Sequence, residues 1–128
     1  MQSNITMVLG ASPNSERYSY MATVMLLEKG HAIYPCGIKK GMIQSLQIEQ
    51  EWPIPGSITT LTLYLGPTAQ EAYYNQIIAL KPQRIIFNPG TENATLVQLA
   101  NAAGIETIEA CTLVMLTTGQ YLIKVEFF

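Results

Sequence analysis

The chain contains no aspartate; its nine acidic residues are all glutamate. That absence excludes chemistry built on an Asp, such as EF-hand loops, Ser-His-Asp triads and phospho-aspartyl transfer. A single histidine and two cysteines leave too few ligands for a structural zinc site. Charge is scarce as well. Only 12% of residues are charged, about half the usual fraction. The 48% hydrophobic share excludes a disordered, solvating chain. With a net charge of −2, no basic face for nucleic acid is expected. No apolar run approaches the roughly 20 residues of a membrane span, and MQSNITMVLGA lacks the basic start of a signal peptide. The expectation is a cytoplasmic protein with reduced thiols, no membrane or nucleic-acid partner and no metal.

The 128 residues fit one domain. Strand-type runs alternate with helical periodicity: ITMVL (5–9), HAIYP (31–35), TLTLYL (60–65), RIIFN (84–88) and IETIEA (105–110). Between the first two, Tyr18, Met21, Ala22, Met25 and Leu26 fall on one helical face, and Gly30 supplies a left-handed stop. Ala69, Ala72, Tyr73, Ile77 and Leu80 mark a second helix ended by Pro82. Leu96, Leu99, Ala100 and Ala103 mark another, and Thr112 to Thr118 a last one. Residues 41–57 read as turns around Trp52-Pro53-Ile54-Pro55-Gly56.

Strands apolar on both alternations have both faces covered. The expectation is therefore an α/β, Rossmann-like, doubly wound three-layer sandwich with a five-stranded parallel sheet in the order 3-2-1-4-5. In that order Cys36 and Cys111 end strands three spacings, about 14 Å, apart, beyond disulfide reach. The segment YLIKVEFF (121–128) is an apolar tail, expected either to pack on its own domain or to form a subunit interface, as in a homodimer.

Open parallel sheets bind ligands beyond the carboxyl ends of their strands. That edge collects Gly10-Ala11-Ser12, Cys36-Gly37-Ile38-Lys39-Lys40, Gly66-Pro67-Thr68 and Pro89-Gly90-Thr91, all in small-residue loops. Such loops let a phosphate approach backbone N–H groups at helix starts. Lys29, Lys81 and Arg84 fall at the opposite edge, where helix dipoles explain them. Arg17, Lys39 and Lys40 fall at the ligand edge. Arg17 opens a helix, where the dipole disfavours a cation, so an anion accounts for it better.

A dinucleotide fingerprint needs G-x-G-x-x-G and an acid after the second strand. Here Ser12 and Ser15 replace the later glycines, and two lysines follow the second strand instead of an acid. Ordinary NAD is thereby disfavoured. A ligand with a phosphate on its adenosine ribose, NADP or coenzyme A, fits the charge better.

The segment VLGASPNSERYSYMATVMLLEKGHAIYPCGIKKG resembles the opening of the small CoA-binding proteins, single domains similar to the CoA-binding domain of the succinyl-CoA synthetase α subunit. FNPGTEN (87–93) is similar to that family's Q-P-G-x-E segment, and EACTLVML (109–116) to its E-x-C ending. The resemblance implies a phosphate-facing loop at Gly10, Ala11 and Ser12, and phosphate contacts from Arg17 and the Lys39-Lys40 loop. It implies an adenosine side shaped by Pro35, and a pocket wall at Gly66 and Pro67. Gly37-Ile38 stands where the family commonly has Asn-Pro, and Thr59-Thr60 where it often has an Asp.

His31, after Gly30, is expected to be structural, as is Cys111, and Glu92 is expected to complement a helix dipole. No acid–base–nucleophile set is present, so no catalytic residue is named. The implied function is a coenzyme A or acyl-CoA binding or regulatory module. The alternatives are an NADP-binding oxidoreductase-like protein and a scaffold subunit with a vestigial nucleotide pocket.

Overall fold

The structure, a computed structural model, describes residues 4–123. Strands β1 (Ile5–Leu9), β2 (Ala32–Cys36), β5 (Thr60–Leu63), β6 (Arg84–Phe87) and β7 (Glu106–Glu109) form one parallel sheet. A small antiparallel hairpin, β3 (Met42–Ile43) with β4 (Leu46–Gln47), lies between β2 and β5 in the chain. The helices are α1 (Tyr18–Glu28), α2 (Pro67–Gln70), α3 (Tyr74–Leu80), α4 (Ala94–Ala102) and α5 (Thr112–Thr117). The doubly wound α/β architecture is the one the periodicity predicts.

The order across the sheet is β2-β1-β5-β6-β7. Numbered as the sequence reading numbers them, this is 2-1-3-4-5 and corrects the expected 3-2-1-4-5. The third strand pairs directly with the first, Thr6 beside Thr60 and Leu9 beside Leu63. Two features explain the outcome. Every residue of β5 is buried, which requires a neighbour on each side. Pro35 in β2 has no N–H for a ladder, which confines that strand to an edge. The Pro35 carbonyl faces away from β1 and accepts from the Glu49 N–H at 2.9 Å, so the proline nitrogen also lies on the outer side, where only an isolated bridge between Cys36 and Glu49 forms. Cys36 and Cys111 are therefore four strand spacings apart and both free.

Alternation in the strands divides the core into two layers. Met7, Leu9, Leu61, Leu63, Ile85 and Phe87 pack toward α3 and α4. Val8 and Ile86 face α1 and α5 with Leu26, Met115 and Leu116. The face of α1 differs from its apolar periodicity. Ser19, Ala22, Thr23 and Leu26 are buried, whereas Tyr18 is 69% exposed. Small residues bring the helix close to the sheet, and the Thr23 hydroxyl donates to the Ser19 carbonyl at 2.7 Å. The second predicted helix is broken into α2, a 3₁₀ turn (Glu71–Tyr73) and α3.

Arg84 is not a surface cation at a helix end. It is buried at the amino end of β6, where Nε donates to Thr60 Oγ1 at 2.9 Å and Nη2 donates to the Tyr121 carbonyl. Tyr121 is buried beneath that guanidinium and meets His31 edge-on, with ring centroids 4.9 Å apart. The start of the expected apolar tail thus packs on its own sheet; residues 124–128 lie outside the described residues. No helix among the described residues is long and apolar enough to cross a membrane.

Candidate functional site

The carboxyl ends of β1, β2 and β5 converge where the sheet changes direction, and there a crevice of about 800 Å³ opens. The loop after β1 makes its floor. Gly10 adopts φ +97°, and a Cβ there would lie 2.9 Å from the Tyr64 carbonyl carbon. Only glycine fits that position. The N–H groups of Gly10 and Ala11 both donate to the Cys36 carbonyl, at 2.9 and 3.0 Å. These two residues therefore shape the floor without offering an anion their N–H groups. At this point the crevice is lined by Ser12, whose hydroxyl accepts from Asn14 N–H at 3.1 Å, by Asn14 and by the start of α1 at Tyr18 and Ser19.

The loop after β2 closes on that floor. A Cβ on Gly37 would come within 2.3 Å of the Ala11 carbonyl oxygen, and one on Gly41 within 2.8 Å of Pro13. The two glycines let residues 37–41 lie directly against the first loop. Gln50 Nε2 donates to the carbonyls of Gly37 and Lys39, both at 3.4 Å, tying this strap to the segment beside it. Ile38 and Lys39 both line the crevice, and Ile38 is 84% exposed.

Arg17 is the N-cap residue of α1, with extended backbone (φ −81°, ψ 142°) and no side-chain capping bond. Arg17 is exposed and lines the crevice. Of the sequence-derived candidates, Gly10, Ala11, Ser12, Arg17, Lys39 and Gly66 line one cavity. Three do not. Pro35 is buried in β2, where it sets the sheet edge. Pro67 opens α2 after the N-cap Gly66. Lys40 is exposed outside the cavity wall.

Sequence reasoning missed the apolar wall. Trp52 and Tyr73 stack with centroids 5.6 Å apart and planes at 30°, and both face the crevice. A tryptophan held among prolines was the available signal. Its segment is anchored to β2 through Gly37 N–H to the Glu49 carbonyl and Tyr34 hydroxyl to the Glu51 carbonyl, at 3.0 and 2.8 Å. Cys36 lies beneath, and its thiol is pushed up to about 11 by burial and by Glu49. Tyr64 also borders the crevice. Its hydroxyl is buried beside Thr112 and Thr62, with no hydrogen bond of good geometry among the described residues, and burial pushes it up to about 12.

A polar network holds the far rim. Fully buried Gln70 donates to the carbonyls of Leu65 and Thr91, each at 2.8 Å, and accepts from Asn93 at 2.9 Å. Asn88 donates to the Leu63 carbonyl and accepts from Thr112 N–H, at 2.8 and 2.9 Å. Glu92 accepts from Gly90 N–H at 2.8 Å, so it braces the turn after β6, while Asn93 caps α4. Among the described residues no group of three or more His, Cys, Asp or Glu is placed to hold a metal ion.

Residues 4–117 match the family model described as CoA binding domain. A crystal structure of an uncharacterized protein is 45% identical, with a TM-score of 0.87 over 92% of this chain and 98% of that one. A cell-free-produced protein from Thermus thermophilus shares 18% identity and a TM-score of 0.80, covering 93% and 91% of the two chains. A hypothetical protein from Pyrococcus horikoshii shares 25% identity and a TM-score of 0.77, covering 85% and 78%. No match is found among curated proteins.

Proposed function

The chain belongs to the CoA binding domain family, and from that premise we propose that it binds coenzyme A or an acyl-CoA in the crevice above β1, as a binding or regulatory module without chemistry of its own. The observation that carries this reading is the convergence of Arg17, Ser12 and Lys39 on one cavity at the sheet's switch point. A pyrophosphate lying over the Gly10–Ser12 floor would meet the Ser12 hydroxyl, the start of α1 and the Arg17 guanidinium, a planar and always-charged donor. Lys39, one strand over, would meet the phosphate monoester on the adenosine ribose.

Calorimetry with coenzyme A, dephospho-coenzyme A and NADP tests the proposal. Coenzyme A is expected to bind tightest, with dephospho-coenzyme A weakened by loss of the Lys39 contact. Equal affinity for the two would remove the role given to Lys39. Preference for NADP would favour the oxidoreductase-like reading, and no heat with any of them would favour a vestigial pocket.

A further inference from the structure

The helical layer of α1 and α5 is uncharged along both helices. No residue between Arg17 and Glu28 is charged, and none between Glu109 and Lys124. The two helices pack side by side over the sheet through Leu26, Met115 and Leu116. The periodicity of α1 supplies more apolar side chains than this core uses. Ala22 and Leu26 go inward, but Met21 is 40% exposed, Val24 and Met25 are half-buried, and Val114 on α5 is 54% exposed. The opposite layer differs. There α3 and α4 leave Asn75, Gln76, Gln98 and Asn101 exposed, and Leu99 is their one exposed large apolar side chain.

Charge returns at the ends of α1, with the wrong sign for an isolated helix. Arg17 is the N-cap and Glu28 the last helical residue, both exposed, and the dipole disfavours each. A phosphate in the crevice accounts for Arg17. It does not account for Glu28, roughly 16 Å away along the helix axis. Lys29 follows Glu28, but adjacent residues of a helix do not face each other. Arg17, Met21, Val24 and Glu28 recur at intervals of four, three and four, along one side of α1. That spacing reads the same from either end, with opposite charges at its tips.

We infer that two copies of the chain pair through this face, α1 lying antiparallel to α1 of a second copy across a two-fold axis. Arg17 then meets Glu28 of the second copy, Met21 meets Val24, and each contact occurs twice. Each charge that opposes its own dipole faces a helix end of the sign that suits it. A parallel pairing would instead set like charges together. Val114 widens the apolar contact, and a continuous uncharged centre with charges at its rim is the composition an interface needs.

Sedimentation equilibrium of the full chain without ligand tests the pairing. The wild type is expected to show twice the chain mass at about 100 μM. Glu28→Lys creates two like-charged pairs in the interface and should weaken self-association at least about ten-fold. Its melting temperature, read at dilution where the chain is single, should not fall, because a lysine suits the end of α1. Arg17→Glu combined with Glu28→Lys restores opposite charges and should recover most of the wild-type association. Met21→Glu should abolish it. A single-chain mass for the wild type at about 100 μM would overturn the inference. So would wild-type association in Glu28→Lys, or no recovery in a charge-swapped double variant that circular dichroism shows to be folded.

Discussion

Arg17 shows how one residue separates binding from folding. It stands at the N-cap of α1, is exposed, and makes no capping bond, so the helix gains nothing from it. A cation there opposes the helix dipole. A phosphate in the crevice would instead receive a charge-assisted hydrogen bond worth roughly 1.5–3 kcal/mol, about ten- to a hundred-fold in affinity. Arg17→Ala is expected to weaken coenzyme A binding at least about ten-fold by calorimetry, with the melting temperature of the free protein unchanged or slightly raised. Normal binding by the variant would remove Arg17 from the site, and a large fall in melting temperature would make it structural. Arg84 is the opposite case. The sequence places both arginines beside helix termini, yet Arg84 is buried under Tyr121 while Arg17 faces the crevice.

At the scale of elements, the site depends on two loops touching. Gly37 carries that contact, because a Cβ would fall 2.3 Å from the Ala11 carbonyl oxygen. That oxygen is backbone, and the floor it belongs to is held by the Gly10 and Ala11 bonds to the Cys36 carbonyl. Gly37→Ala is expected to force the strap away from the floor, at about 1–3 kcal/mol of stability by urea unfolding and with loss of ligand affinity. Gly66→Ala serves as the control. Nothing lies within 4 Å of its would-be Cβ, so its unfolding curve should overlay the wild type. Equal stability of the two variants would refute the close approach. The sequence displayed both glycines alike in loops at the ligand edge. Which of them is sterically required follows from what packs opposite.

For the molecule as a whole, the amino ends of the strands form a second polar layer, remote from the crevice. Thr6 bonds the Tyr121 hydroxyl, Arg84 bonds the Tyr121 carbonyl, and His31 meets the Tyr121 ring, so the segment after α5 is tied to β1 and β6 together. Burial, and then the nearby Arg84 charge, hold the His31 imidazole below its ordinary value. The folded state therefore binds fewer protons at His31 than the unfolded chain. Its contribution is fully present above about pH 6.5 and is lost as the pH falls through that value toward the lower folded one. His31→Phe keeps a ring against Tyr121 and removes the titration. Its melting temperature is expected to fall less than that of the wild type between about pH 7.5 and about pH 5.5. An equally steep fall would assign the acid sensitivity to other groups.

Local pattern determined the five sheet strands, the parallel α/β class and the edge at which small loops gather, but not the β3–β4 hairpin within residues 41–57 or the break between α2 and α3. Each rests on periodicity or on residue types that act within a few positions: Gly10 after an apolar run, Gly30 after a helical face, Pro82 after another. Tertiary structure decided the rest, because those outcomes depend on partners far apart in the chain. The order 2-1-3-4-5 follows from the complete burial of β5 and from the Pro35 nitrogen needing a free edge, although Pro35 itself was legible as an edge signal. Pro35 belongs to the sheet, whereas Trp52 and Tyr73 belong to the crevice, since their stacking joins segments separated by a strand and a helix. Periodicity identifies which side chains are apolar, but the approach of another element decides whether such a side chain is core, like Leu26, or left uncovered at a ligand's edge, like Ile38.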